Sequence, residues 1–196
     1  MKRKIIASAL VLSTLISMAG CMADKSKDKD RDSYDDDEEV EEVEETEDEY
    51  VPGYARQLRE GDTAPDFTIE LANGETFTLS ENEDKVVMIN FWATWCPYCI
   101  DEMPAFERIA NENLSNFEFI AIDQCENKAM VDRFIEEHDY SFNFGYDPDG
   151  VVYDLYPTDG IPYTLIIKDG VVKRLFLGAP NEPYETYMNA IRDCMG

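Results

Sequence analysis

The stretch from Val86 to Cys99 constrains the fold more than any other. Val86 to Trp92 is a near-continuous apolar run, suited to a strand buried on both faces. It leads into Trp95-Cys96-Pro97-Tyr98-Cys99, which opens a segment patterned as a helix. Ile100, Met103, Phe106, Ile109 and Ala110 recur there at helical spacing, predicting a helix from Pro97 to Asn113. A strand that delivers two cysteines to a helix N-terminus is a redox device. Cys96 faces the unpaired N–H groups and positive end of the macrodipole, which favour thiolate over thiol. Cys99 falls within one helical turn, so the pair can close a small disulfide that a substrate thiol reopens. The other reading of this spacing is half of a zinc site. Zinc would need two more ligands, yet the chain has no second CxxC and its single histidine is His138.

The remaining periodicity fills in one domain over residues 57–196, a length that suits a single core. Asp66 to Leu71 and Glu75 to Leu79 flank Asn73-Gly74, the strongest short hairpin signal, so an antiparallel pair opens the domain. Phe117 to Ile122 reads as a second buried strand, and Met130, Val131, Phe134 and Ile135 mark a helix ending near His138. Tyr163 to Ile167 and Val171 to Leu177, joined by Lys168-Asp169-Gly170, form an expected terminal hairpin. Pro183 to Met195 closes the domain as a helix carrying Tyr187, Ala190 and Ile191. The expected architecture is α/β: a central mixed sheet with helices on both faces and an N-terminal β-hairpin extension.

The first 56 residues read differently. Lys2, Arg3 and Lys4 precede an apolar stretch from Ile5 to about Met18, followed by Ala19, Gly20 and Cys21. This is the layout of a secretory signal over residues 1–20, and its apolar run is shorter than the roughly 20 residues a bilayer span requires. From Asp24 to Glu49 there are 16 acidic and 4 basic residues and almost no large apolar side chains. Such a segment cannot bury enough surface to offset its ordering entropy, so residues 21–56 are expected to form a disordered acidic tether. Fully extended, it would reach on the order of 110 Å. Of the total charge of −26, the acidic run carries −12 and the signal +3, which leaves −17 on residues 50–196. So acidic a domain is a poor partner for nucleic acid.

With these motifs assembled, the chain resembles the thioredoxin superfamily, and within it the membrane-anchored TlpA/ResA-like thiol-disulfide oxidoreductases. The resemblance covers roughly Gly61 to the C-terminus. Its motifs occur in order: Gly61-Asp62-Thr63-Ala64-Pro65-Asp66-Phe67, then Asn90-Phe91-Trp92-Ala93-Thr94-Trp95-Cys96, then Cys99 with Glu102 and Pro104. Gly160-Ile161-Pro162 and Lys168-Asp169-Gly170 follow. The resemblance implies that Cys96 attacks, that Cys99 resolves the mixed disulfide, and that Ile161-Pro162 is a cis peptide bond next to a substrate-binding segment. Pro97 and Tyr98 stand between the cysteines, whereas this family usually carries proline immediately before the second one. Reduction potential therefore does not transfer from the family. Trp95 joins the expected substrate surface. Glu102, one turn beyond Cys99, is expected to relay protons, because Asn90 stands where thioredoxin has a titratable Asp; a solvated helix residue is the plainer reading. Met18-Ala19-Gly20-Cys21 resembles a bacterial lipobox, which implies lipidation at Cys21.

These readings imply an extracytoplasmic, lipid-anchored protein-disulfide reductase without a cofactor. Its expected partners are disulfide-containing extracytoplasmic proteins, a membrane thiol electron donor, and the membrane itself through Cys21. Two alternatives stay open: a disulfide-donating oxidase of the same fold, and a copper-binding module. Copper-delivery relatives space their cysteines by three residues and add a histidine, and this chain does neither.

Overall fold

The computed structural model describes residues 56–196. The signal segment, Cys21 and all of the acidic tether except Arg56 lie outside the described residues. Ten elements make up the domain: β1 Thr68–Leu71, β2 Thr76–Thr78, β3 Val86–Trp92, α1 Pro97–Asn111, β4 Phe117–Asp123, α2 Lys128–His138, β5 Asn143–Tyr146, β6 Tyr163–Lys168, β7 Val171–Leu177 and α3 Pro183–Met195. Short 3-10 turns occur at Leu79–Asn82 and Tyr153–Leu155.

The strands form a single mixed sheet in the order β2-β1-β5-β4-β3-β6-β7. β3 occupies the interior, parallel to β4 and antiparallel to β6, and all seven of its residues are buried. That double burial is what its unbroken apolar sequence encodes. Its side chains alternate between two cores. Val86, Met88 and Trp92 face one side, and Val87, Ile89 and Phe91 face the other.

Both predicted hairpins form. The first is closed by Asn73-Gly74, where Asn73 Oδ1 accepts the Glu75 N–H at 2.9 Å and Gly74 takes a φ of 85°. The second turns on Asp169 and Gly170 at φ of 56° and 70°, the left-handed pair that a two-residue hairpin loop demands.

Helix placement departs from expectation. All three α-helices pack on the same face of the sheet, contributing Met103, Phe106, Val131, Phe134, Tyr187 and Met188 to one core. Among the described residues, the only helical elements on the opposite face are 3-10 turns; the N-terminal segment and the loop around Val152 and Tyr156 cover it with Ala64, Phe67, Leu79 and their neighbours. The cause is topological. β3, β4 and β5 are successive parallel neighbours that step in one direction, so two right-handed crossovers place α1 and α2 on the same side.

β5 itself was not expected. It carries Gly145, which pairs with Leu71 of β1 and lies under the tip of the Ile69 side chain, where an added Cβ would come within 2.9 Å.

The N-terminal segment joins the sheet at the end remote from Cys96. The Gly61 N–H bonds the Val172 carbonyl at 2.8 Å and the Ala64 N–H bonds the Gly170 carbonyl at 2.9 Å. That end of the sheet is also where β3 begins, with Val86 opposite Lys168. The length of β3, about 20 Å at 3.3 Å per residue, separates it from the edge where Trp92 leads to Cys96.

Candidate active site

Cys96 is the N-cap of α1. Its backbone is extended (φ −92°, ψ 103°), and its sulfur accepts the Cys99 N–H at 3.2 Å, so an otherwise orphaned helix donor points at the sulfur. Pro97 occupies the first turn, where its missing N–H has no cost. Cys96 and Cys99 are joined in a disulfide with Cα atoms 5.3 Å apart, and both are buried. The Ile161 carbonyl oxygen lies 3.8 Å from the Cys96 sulfur, and the following Ile161-Pro162 bond is cis. Trp95 and Tyr98 flank the sulfurs at 64% and 70% exposure, an unusual degree of display for such large rings. A groove of about 410 Å³ is lined by Thr94, by Ile100 of α1, and by Met130 and Phe134 of α2, among others.

Glu102 lies one turn past Cys99 and has no solvent exposure. Its Oε1 accepts from Asn90 Nδ2 at 3.0 Å and its Oε2 accepts from the Tyr187 hydroxyl at 2.9 Å. Asn90 also donates to Thr164 Oγ1 at 2.9 Å, and Thr164 donates to Tyr187 at 3.4 Å. The ring thus spans β3, α1, β6 and α3. Burial pushes the Glu102 carboxyl up to about 7, partly countered by the bonds from Tyr187 and Asn90. A carboxyl with that value can both take and give a proton near neutrality. The reading of Glu102 as a solvated helix residue is therefore wrong: the i,i+3 spacing placed it on the buried face with Cys99.

The sequence reading missed Tyr187 as a partner of Glu102 and Thr164 as the link between Asn90 and Tyr187, placing Tyr187 only on the apolar stripe of the closing helix. It also missed Glu126, which is buried against the redox turn and bonds Thr94. Nothing in the periodicity marks these pairings, which join residues 85 and 32 positions apart. Cys125 follows β4 onto the edge that carries Cys96, where the Gln124 N–H bonds the Trp92 carbonyl. It is a free thiol, pushed up by burial and then by the nearby carboxylates of Asp147 and Asp123, and so made less reactive.

A mixed sheet with a cysteine pair capping the helix after its central strand, facing a cis-proline, defines the thioredoxin-fold proteins. The Redoxin family model matches residues 59–191, and the chain belongs to that family. It is similar to thiol-disulfide oxidoreductase ResA of Oceanobacillus iheyensis, 41% identical over 103 residues that cover 50% of this chain and 54% of the relative. ResA of Bacillus subtilis is 32% identical over 138 residues, covering 69% of this chain and 77% of that protein. The chain thus spans little more than half the length of the first of these curated relatives. Among solved structures, one described as thiol:disulfide interchange protein DsbE of Chlorobium tepidum superposes with a TM-score of 0.66 at 27% identity, over 71% of this chain and 100% of that one. StoA of Bacillus subtilis shares the fold, with a TM-score of 0.58 at 20% identity, over 65% of this chain and 96% of that one.

Proposed function

We propose that this chain is an extracytoplasmic thiol-disulfide oxidoreductase that reduces disulfides in other proteins through Cys96 and Cys99. The observation that carries it is the Cys96 sulfur at the cap of α1, bonded to Cys99 and facing the Ile161 carbonyl beside a cis-proline. In the reduced form the Cys96 thiolate attacks one sulfur of a client disulfide, forming a mixed disulfide and releasing the other client sulfur as a thiolate that takes up a proton. Cys99, deprotonated with Glu102 as the acceptor, then attacks the Cys96 sulfur. The second client thiolate leaves, and the Cys96–Cys99 disulfide closes. The client gains two electrons and the protein loses two, which an external dithiol donor at the membrane must restore.

Trp95, Pro97, Tyr98, Ile161 and Pro162 form the surface that meets the client. Pro162 lacks an N–H, so the backbone beside the sulfurs offers client a carbonyl without competing for it. Lipidation at Cys21 and the acidic tether over residues 21–56 would hold the domain, residues 57–196, at a membrane. The names of the ResA relatives agree with this chemistry.

The deciding experiment is equilibration of the Cys96/Cys99 couple against a graded thiol buffer. A potential near about −270 mV makes the protein a reductant; one near about −120 mV makes it an oxidase and overturns the stated direction.

A further inference from the structure

The geometry points to Glu126 as a positioning residue for the nucleophile: its buried carboxylate clamps Thr94 and thereby holds the turn that presents Cys96. Thr94 stands two residues before Cys96, in a turn closed by the Cys96 N–H bonding the Ala93 carbonyl at 3.1 Å. Glu126 grips it twice. Oε2 accepts the Thr94 N–H and Oε1 accepts the Thr94 hydroxyl, each at 2.6 Å. Bonds that short to a carboxylate are strong and directional, and Glu126 is only 6% exposed.

The clamp is itself anchored. Asp123, at the end of β4, accepts the Glu126 N–H at 2.9 Å through Oδ2 and the Asp147 N–H at 2.7 Å through Oδ1. Asp147 in turn accepts the N–H groups of Val152 and Tyr153 at 3.1 and 2.8 Å. Tyr153 packs edge-on against Phe91 of β3, with ring centroids 5.6 Å apart. Three buried carboxylates thus lash together the loops at the C-terminal ends of β3, β4 and β5. Burying them is costly unless their bonds do something. The first member of the chain meets the turn that aims the helix cap at its sulfur, so what it holds is the position of Cys96 relative to the α1 N–H groups.

This inference rests on Cys96 being the nucleophile, and the test separates the two claims. The rate of Cys96 alkylation by iodoacetamide is followed against pH in the reduced wild type and in Glu126→Gln, Glu126→Ala and Thr94→Val, with unfolding by denaturant measured in parallel. The plateau at high pH reports thiolate reactivity in place, and the midpoint reports thiolate stability. Loss of the clamp lets Cys96 drift from the α1 N–H groups that stabilise its thiolate, so in Glu126→Ala the midpoint rises and the rate at neutral pH falls on the order of tenfold. Gln keeps one acceptor and restores part of the loss. Thr94→Val removes only the hydroxyl bond and keeps the shape and the N–H bond, so its loss is smaller than that of Glu126→Ala. Curves that superimpose on wild type, or a midpoint that falls in Glu126→Ala as the loss of a nearby negative charge alone would make it, overturn the positioning role. A wild-type Cys96 that alkylates no faster than an ordinary thiol instead overturns the functional reading itself.

Discussion

Replacing Glu102 with Gln should stabilise the oxidised protein at alkaline pH and leave it nearly unchanged in acid. Gln has the shape of the neutral acid: its Oε1 accepts from Asn90 as Glu102 Oε1 does, and its amide can donate to the Tyr187 oxygen where the carboxylate accepted. In the wild type, burial raises the Glu102 carboxyl from 4.5 to about 7, so between those values the folded protein holds a proton that the unfolded chain has released. Stability is then fully present below the unfolded value and is lost as pH rises through the folded one. A tenfold difference in proton affinity between the two states corresponds to about 1.4 kcal/mol, which amounts to about 3 kcal/mol across the window. Gln does not titrate and escapes that loss. Denaturant unfolding at about pH 4 and about pH 8 should therefore show the variant's advantage over wild type growing by about 3 kcal/mol. An advantage that does not change with pH, or a variant weaker than wild type at pH about 8, would refute the claim that burial holds Glu102 protonated. The same variant should flatten the pH dependence of turnover near neutrality.

Phe106→Ala should cost about 3–5 kcal/mol by denaturant titration, because the ring is fully buried with Phe119 and Tyr187 centroids 4.8 and 5.4 Å away; a loss under about 1 kcal/mol would show that the shared core collapses freely around the cavity. Cys125 and Cys194 are both free thiols, and non-reduced peptide mapping of the oxidised protein should find Cys96 linked to Cys99 and the other two unlinked. A Cys125 to Cys194 bridge would contradict the strand order and the direction of α3.

What could be read from the sequence was whatever follows a single periodicity. β3 matched residue for residue because a strand buried on both faces needs no alternation, and α3 matched because Pro183 starts it and Tyr187, Ala190 and Ile191 keep its stripe. β5 escaped because it has four residues, includes a glycine, and pairs with β1 over only two positions. The side of the sheet taken by α2 depended on β5, so the error in helix placement followed from the missing strand. At the site, Cys96, Cys99 and Pro162 were legible from local motifs. The ring closed around Glu102 by Asn90, Tyr187 and, through them, Thr164 comes from three other elements, and the Thr94 to Glu126 clamp joins two loops. Side-chain pairings of that kind leave no trace in hydrophobic patterning.

The account depends most on Cys96 being the sulfur that meets the client and Cys99 the one that releases it. Reduced Cys99→Ser incubated with a disulfide-bonded protein such as insulin, then digested without reductant and analysed by mass spectrometry, tests this directly. The account predicts a stable mixed disulfide on Cys96, and no such adduct on Cys99 when the reciprocal Cys96→Ser variant is treated alike. A client trapped on Cys99 in Cys96→Ser, with Cys99→Ser left unmodified, would contradict it.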